Sequence, residues 1–203
     1  MEAKVRLCRP DDLDAVYEIC LLTGDAGSDA SHLYADPLLP GHLYAAPYVT
    51  LEPEHAFVLE DEAGVCGYVV GALDTRDFRR RMIELWLPPL QAKLPLPNPD
   101  REAWTAADHI YHQVHFPRQE YPEWLDVFPS HLHIDLLPRA QRQGHGRAMM
   151  ERFLGMIARA GSPGVHLGLD PRNDGARAFY RALGFNDFDA GTEGSVRMVR
   201  PLP

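Results

Sequence analysis

With 203 residues the chain is long enough to bury a substantial core and short enough to form one compact unit. Hydrophobic residues make up 45% and charged residues 24%, the balance of a folded water-soluble protein, and no apolar run approaches the ~20 residues of a bilayer span. The formal net charge of −9, from 29 acidic against 20 basic residues, argues against nucleic acid or an anionic membrane as a partner. It does not exclude a phosphorylated ligand, because a local arginine cluster is screened from distant charge beyond a Debye length of ~8 Å. Glu2, Lys4 and Arg6 interrupt any secretory hydrophobic stretch, so a cytoplasmic location is the default expectation. Cys8, Cys20 and Cys66 are far apart in apolar contexts and read as buried thiols rather than a disulfide framework.

In chain order, Ala3 to Cys8 reads as a strand, and Asp11 and Asp12 then open a helix whose Leu13, Val16, Tyr17 and Cys20 share a face and whose end is marked by Gly24. From Asp25 to Pro53 periodicity lapses among four prolines, which predicts a long ordered loop or a pair of short helices. Ala56 to Glu60 and Val65 to Leu73 are apolar runs joined by Asp61-Glu62-Ala63-Gly64, a hairpin signal. The stretch at about 74–129 reads as a helical insertion between the third and fourth strands. One helix carries Phe78, Met82, Leu85 and Trp86 and stops at Pro88-Pro89; another runs from about Pro99 to His112. His109, His112 and His115 recur every third residue, which rotates them around a helix instead of gathering them on one face, so no metal is expected.

Leu132, Ile134 and Leu136 alternate with His131, His133 and Asp135, a strand period, and Met149, Phe153, Met156, Ile157 and Ala160 follow at helical spacing. The junction between them is Gln141-Arg142-Gln143-Gly144-His145-Gly146. A helix start has unpartnered amides and the positive end of the macrodipole, and glycines let a ligand approach, so this is either a tight turn or a seat for a phosphate. Arg139, Arg142 and Arg147 add positive charge around it. Val165 to Leu169 is another strand. Asp170 to Gly175 turns into a short helix with Ala176, Phe179, Tyr180 and Leu183, and Phe185 to Phe188 with Val196 to Val199 forms a last hairpin around a Gly191 to Gly194 turn.

Two motifs in this order, Gln141-x-x-Gly144-x-Gly146 and Asn173-x-x-Ala176-x-x-Phe179-Tyr180-x-x-Leu183-Gly184-Phe185, resemble the GCN5-related N-acetyltransferase (GNAT) superfamily. The stretch from Val49 to Asp61 with Gly64-Val65-Cys66-Gly67-Tyr68 is also similar to the acetyltransferase-like domain of O-GlcNAcases and its free-standing bacterial relatives. The resemblance implies an α/β (α+β) GNAT fold over residues 1–203 as a single domain. Its central sheet would be mixed and mostly antiparallel, with strands four and five splayed apart and helices on its flanks.

It implies acetyl-CoA as co-substrate, with pyrophosphate on the amides of Arg142, Gln143, Gly144, His145, Gly146 and Arg147 beside Gln141. Pantetheine would pair along Asp135, Leu136 and Leu137, with the Leu136 N–H facing the oxyanion. Asn173 and Phe179 would line the same groove. The second substrate would be an amine, small or a protein lysine, acetylated by direct attack in a ternary complex.

An amine of pKa ~10.4 costs roughly 4.6 kcal/mol to present as free base at pH 7, so a general base is needed. His133 and Asp135 are the candidates, and Tyr180 is the implied acid for the departing thiolate. The His131-Leu132-His133 pair resembles the paired histidines of arylalkylamine N-acetyltransferases. Asp74, Asp77, Glu120 and Glu123 lie on the expected acceptor side, where they would attract a cationic amine or act as solvated surface. A module that keeps the fold and binds acetyl-CoA without catalysis remains the alternative, and a homodimer is left open.

Overall fold

The computed structural model describes residues 3–189 and 194–203. The expected Gly191 to Gly194 turn thus falls largely outside the described residues. Seven strands form one sheet in the order β1-β2-β3-β4-β5-β7-β6. They are β1 (Lys4–Leu7), β2 (Ala56–Asp61), β3 (Gly64–Ala72), β4 (Ser130–Leu136), β5 (Gly164–Leu169), β6 (Asn186–Phe188) and β7 (Val196–Pro201). Every neighbouring pair is antiparallel except β4 with β5, which run parallel. This is the mixed, mostly antiparallel sheet that the family resemblance implied.

The parallel pairing is short. Only Ser130↔Val165 and His131↔His166 are in register, after which β4 and β5 separate. By contrast, β4 remains paired with β3 from Ala72↔His131 through Gly67↔Leu136, so the departure opens a gap on one edge of β4 alone.

Each face of the sheet has its own apolar layer. Helices α7 (His145–Arg159) and α8 (Asp174–Ala182) cover one side, where Met149, Phe153 and Ile157 pack on Leu132, Val69 and Val165. Helix α1 (Leu13–Leu22) and α3 (Ala46–Leu51) cover the other, with Val16, Ile19 and Tyr48 against Val58, Tyr68 and Val70. Together with α2 (Gly41–Tyr44), α3 supplies the pair of short helices expected between Asp25 and Pro53. A third apolar cluster joins Leu39 and Leu43 to Leu87, Ile110 and Val114 of the insertion. No helix among the described residues is long and apolar enough to cross a membrane.

The insertion departs from its expected helices in two places. Helix α4 (Thr75–Arg81) does not end at the prolines: a π-helical turn over Met82–Trp86 passes into α5 (Leu87–Gln91), which contains Pro88 and Pro89. The Leu87 N–H bonds back five residues to Met82, and this slip makes the prolines the first turn of a new segment, where a missing N–H is no loss. The next helix, α6 (Ala106–His115), begins later than Pro99 because Thr105 and Asp108 form its capping box. Trp104 packs against the rings of His109 and His112, while His115 bonds the Leu94 carbonyl at 3.1 Å, so the three histidines are separately engaged.

Gly71 is where β3, β4 and α7 approach most closely. A Cβ there would lie 2.2 Å from the His131 carbonyl oxygen and 2.4 Å from Phe153 Cζ. Gly71→Ala should therefore destabilise the fold by about 1–3 kcal/mol, as overpacking does. Thermal unfolding should show a midpoint lower by about 2–4 °C per kcal/mol. An unchanged midpoint would show that the contact yields freely.

Candidate active site

The gap between β4 and β5 continues into a groove of about 600 Å³. Ile134, Asp135 and Leu136 form its strand wall, Gln141, Arg142, Gly144, Gly146 and Arg147 its turn, and Asn173, Ala176, Phe179 and Tyr180 its α8 wall. The strand wall offers backbone as well as side chains. Leu137 N–H donates to the Cys66 carbonyl at 2.8 Å, and because bonding alternates along an antiparallel strand, the N–H and C=O of Leu136 face away from β3. The Gln141 amide donates to that carbonyl at 2.8 Å, leaving the Leu136 N–H directed into the gap.

The turn is shaped to receive an anion. Arg142 has φ +59° and Gly144, at the cap of α7, has φ +85°, so successive amides are turned toward one concave surface. A Cβ on Gly144 would meet nothing within 4 Å, which leaves the space above the amides open. The α7 N-terminus adds its dipole. Arg142 and Arg147 line the groove, whereas Arg139 is drawn off by Asp61 at 3.0 Å. Phe179 lies 3.4 Å from the position a Gly146 Cβ would take, which fixes how closely α7 and α8 approach.

Beyond the groove, His131, His133 and Asp135 project from β4 toward α1 and α3, joined there by a chain of hydrogen bonds. The Thr75 hydroxyl donates to the Pro129 carbonyl at 2.6 Å, so it accepts from His131 Nδ1 at 2.7 Å. His131 Nε2 then accepts the Tyr48 O–H at 2.9 Å, and the Tyr48 oxygen accepts from His133 Nε2 at 3.2 Å. Followed to its end, the chain places a proton on His133 Nε2 and leaves the lone pair on Nδ1.

Burial lowers His133 to about 4, so the ring is neutral at pH 7. Asp135 accepts the Tyr68 O–H at 2.6 Å, and burial raises its carboxyl above the ordinary range despite that bond. Tyr180 is raised by burial and then by the nearby Asp135 charge, which keeps it a protonated phenol.

Comparison with known proteins agrees with this geometry. The acetyltransferase (GNAT) family pattern matches residues 98–185. The crystal structure of SsHAT superposes with a TM-score of 0.90 at 40% identity, over 99% of this chain and 98% of that one. The chain belongs to the GNAT family. The O-GlcNAcase of Rattus norvegicus is 31% identical over 176 residues, covering 86% of this chain and 19% of that protein. The chain thus spans about a fifth of the length of the curated relatives it matches. A phosphinothricin acetyltransferase from Sinorhizobium meliloti, solved with AcCoA, shares the fold at a TM-score of 0.57 and 19% identity, over 100% of this chain and 89% of that one.

Within this GNAT groove the structure gathers most of the residues singled out from sequence, with some redistribution. Leu137, Gln143, His145 and His133 do not line it. Leu137 turns toward β3, and the Gln143 amide bonds the Arg139 carbonyl at 2.7 Å. The Gln141 side chain serves the strand end rather than the anion seat. Asn173 caps α8 through its Oδ1, and its Nδ2 is 3.1 Å from the position of a Gly27 Cβ.

Sequence reasoning missed that last neighbour. Thr23, Ala26, Gly27 and Ser28, just after α1, close the groove from the opposite side, and Asp25 is tied to Arg172 at 2.8 Å. The available signal was Gly24-Asp25-Ala26-Gly27-Ser28, whose tight turn requires positive φ at Ala26 and Gly27.

His166 is fully enclosed, bonds the Phe128 carbonyl through Nδ1 at 2.8 Å, and is held down by burial at about 3. An unfolded-chain histidine titrates near ~6.5, so below that pH the unfolded state binds a proton that the folded state refuses. Stability present above pH ~6.5 is therefore lost as pH falls toward 3, by up to ~1.4 kcal/mol per unit for this group. His166→Asn, which keeps a donor for Phe128, should flatten the dependence between about pH 6 and about pH 4 in urea unfolding. A slope equal to wild type would contradict this.

Proposed function

We propose that the protein is an acetyl-CoA-dependent N-acetyltransferase that acetylates a primary amine by direct attack in a ternary complex. The observation that carries this reading is the split between β4 and β5, which leaves the Leu136 N–H facing a groove that ends at the anion-shaped turn of α7. Residues 1–203 are read as one acetyltransferase unit, with the insertion at about 74–129 walling the acceptor side.

The fit to acetyl-CoA rests on the residues present. Amides from Arg142 to Arg147, with the two arginine side chains, suit the pyrophosphate. The Ile134 to Leu136 edge suits the pantetheine amides, and Asn173 and Phe179 face the same space. Bound there, acetyl-CoA supplies an activated acetyl group as a thioester.

The remaining work belongs to the chain's own groups. The Leu136 N–H stabilises the negative charge that builds on the carbonyl oxygen. Asp135, a carboxylate in a low-dielectric position at the groove, draws in the ammonium form of the acceptor. His133 takes the proton on Nδ1, and the resulting imidazolium is held by Nε2–H to Tyr48. Tyr180, protonated at any physiological pH, returns a proton to the thiolate.

Calorimetry and a thiol-release assay test this together. Wild type should bind acetyl-CoA, and Gly144→Glu, which sets a side chain and a negative charge over the amides, should weaken binding at least 100-fold while remaining folded. His133→Ala should slow thiol release by about 10²–10⁴ without changing acetyl-CoA affinity. Wild-type affinity in a folded Gly144→Glu would show that the phosphates sit elsewhere. Undiminished release by His133→Ala would remove it as the base. Acetyl-CoA binding with no release to any amine would support the non-catalytic module.

A further inference from the structure

Of the acidic residues expected to draw a cationic acceptor, Glu120 and Glu123 lie on the exposed surface and the other two are occupied in the fold. Asp74 caps α4 by accepting from Arg76 and Asp77 amides, and Asp77 is paired with Arg80 at 2.6 Å and Arg81 at 2.8 Å. The charge that faces the histidines is of the opposite sign.

Three arginines from separate parts of the chain act on one another through their charges: partly buried Arg79 of α4 and Arg197 of β7, both felt by His131 and His166, and exposed Arg118 of the segment after α6. The Arg197 guanidinium stacks over Trp124 at 4.9 Å. Trp124 packs on His166 at 4.9 Å, His166 on His131 at 5.6 Å, and His131 on His133 at 6.5 Å, so a continuous ring surface leads from the candidate base to Arg197. Arg76 and Asp126 form an ion pair at 2.8 Å that holds α4 against the turn bearing Trp124.

No carboxylate among the described residues pairs with Arg79, Arg118 or Arg197. Elsewhere on this chain of net charge −9, Arg6, Arg76, Arg80, Arg139, Arg172 and Arg177 each have an acid within 3.0 Å, although other arginines, Arg101, Arg152 and Arg159 among them, have none among the described residues. Arg197 Nε is moreover buried with no hydrogen-bond partner among the described residues. Burial lowers both Arg79 and Arg197; Tyr48 and Tyr121 partly offset this at Arg79, whereas Arg79 and then Arg118 lower Arg197 further, as neighbouring like charges do. Clustered, partly buried guanidiniums are costly unless an anion answers them, and their forked donors match carboxylate and phosphate oxygens.

We propose that Arg79, Arg197 and Arg118 form a subsite for an anionic group, carboxylate or phosphate, carried by the acceptor amine. This rests on the acetyl-transfer reading for the identity of the other end of the molecule. From β4 to β7 is at least two strand spacings, roughly 10 Å, and more past His131 where β4 and β5 separate, so the anion stands several bonds from the amine and is not the α-carboxylate of an α-amino acid acetylated on its own nitrogen. Such an anion also balances the cluster at the moment His133 becomes cationic.

The test uses 6-aminohexanoate, 6-aminohexyl phosphate, 6-aminohexanamide and 1,6-diaminohexane, which share a chain and differ in its end. Binding is read by calorimetry to protein saturated with CoA, which fills the other anion seat, and turnover by thiol release with acetyl-CoA. The carboxylate or the phosphate, whichever the subsite fits, should bind and be turned over at least tenfold better than the amide, and the diamine should be poorest. Arg197→Gln and, separately, Arg79→Gln should abolish the preference through KM while leaving acetyl-CoA affinity unchanged.

Equal or better use of the amide or diamine would overturn the proposal, as would a preference that survives both substitutions. If no acceptor is acetylated yet the anionic amines bind preferentially and arginine-dependently, the subsite stands and the acetyl-transfer reading fails. If acetyl-CoA is used but the anionic amines show no advantage, the reverse holds.

Discussion

The proposed acetyl-CoA seat depends on two strands ceasing to pair. Parallel β4 and β5 are in register only at Ser130↔Val165 and His131↔His166. Past that point one edge of β4 is unpaired inside an otherwise continuous sheet, a situation proteins ordinarily avoid by covering or pairing the edge. Here the α7 turn, the α8 face and the loop after α1 surround the edge without filling it. Backbone donors that would have been spent on a ladder are thereby left for a ligand.

The same split divides the electrostatics. On the turn side, positive φ at Arg142 and Gly144 and a helix N-terminus concentrate positive potential in the backbone. On the opposite side, His131, His133 and His166 are kept neutral by burial, and Arg79 and Arg197 act on His131 and His166 with no carboxylate paired to them among the described residues. Between the two lies Asp135, the one carboxylate lining the groove among the described residues. An acidic protein has thus placed its basic groups where anions would enter and a single buried acid where an amine would.

What the sequence showed was local. The strand period of Ser130 to Leu136, the glycines of the turn and the Asn173 to Phe185 motif each lie within a few residues, and each appeared in the structure with the face and order expected. What it hid was non-local. Tyr48 and His131 are 83 residues apart, and no period or motif announces the bond that sets the histidine tautomers. The arginine trio comes from α4, a linker and the last strand, while two of the acids that drew attention, Asp74 and Asp77, are spent on a cap and on ion pairs. The prolines after Trp86 misled for a different reason: a π turn resets the hydrogen-bond register, which composition does not encode.

The central claim is that the β4 edge and the α7 turn form one continuous seat for acetyl-CoA. A crystal structure with acetyl-CoA bound tests it most directly. The account predicts pyrophosphate oxygens on the amides between Arg142 and Arg147, pantetheine along Ile134 to Leu136, and the thioester oxygen at the Leu136 N–H. A ligand bound away from this edge, or β4 and β5 zipped together past His131 with the ligand excluded, would contradict it.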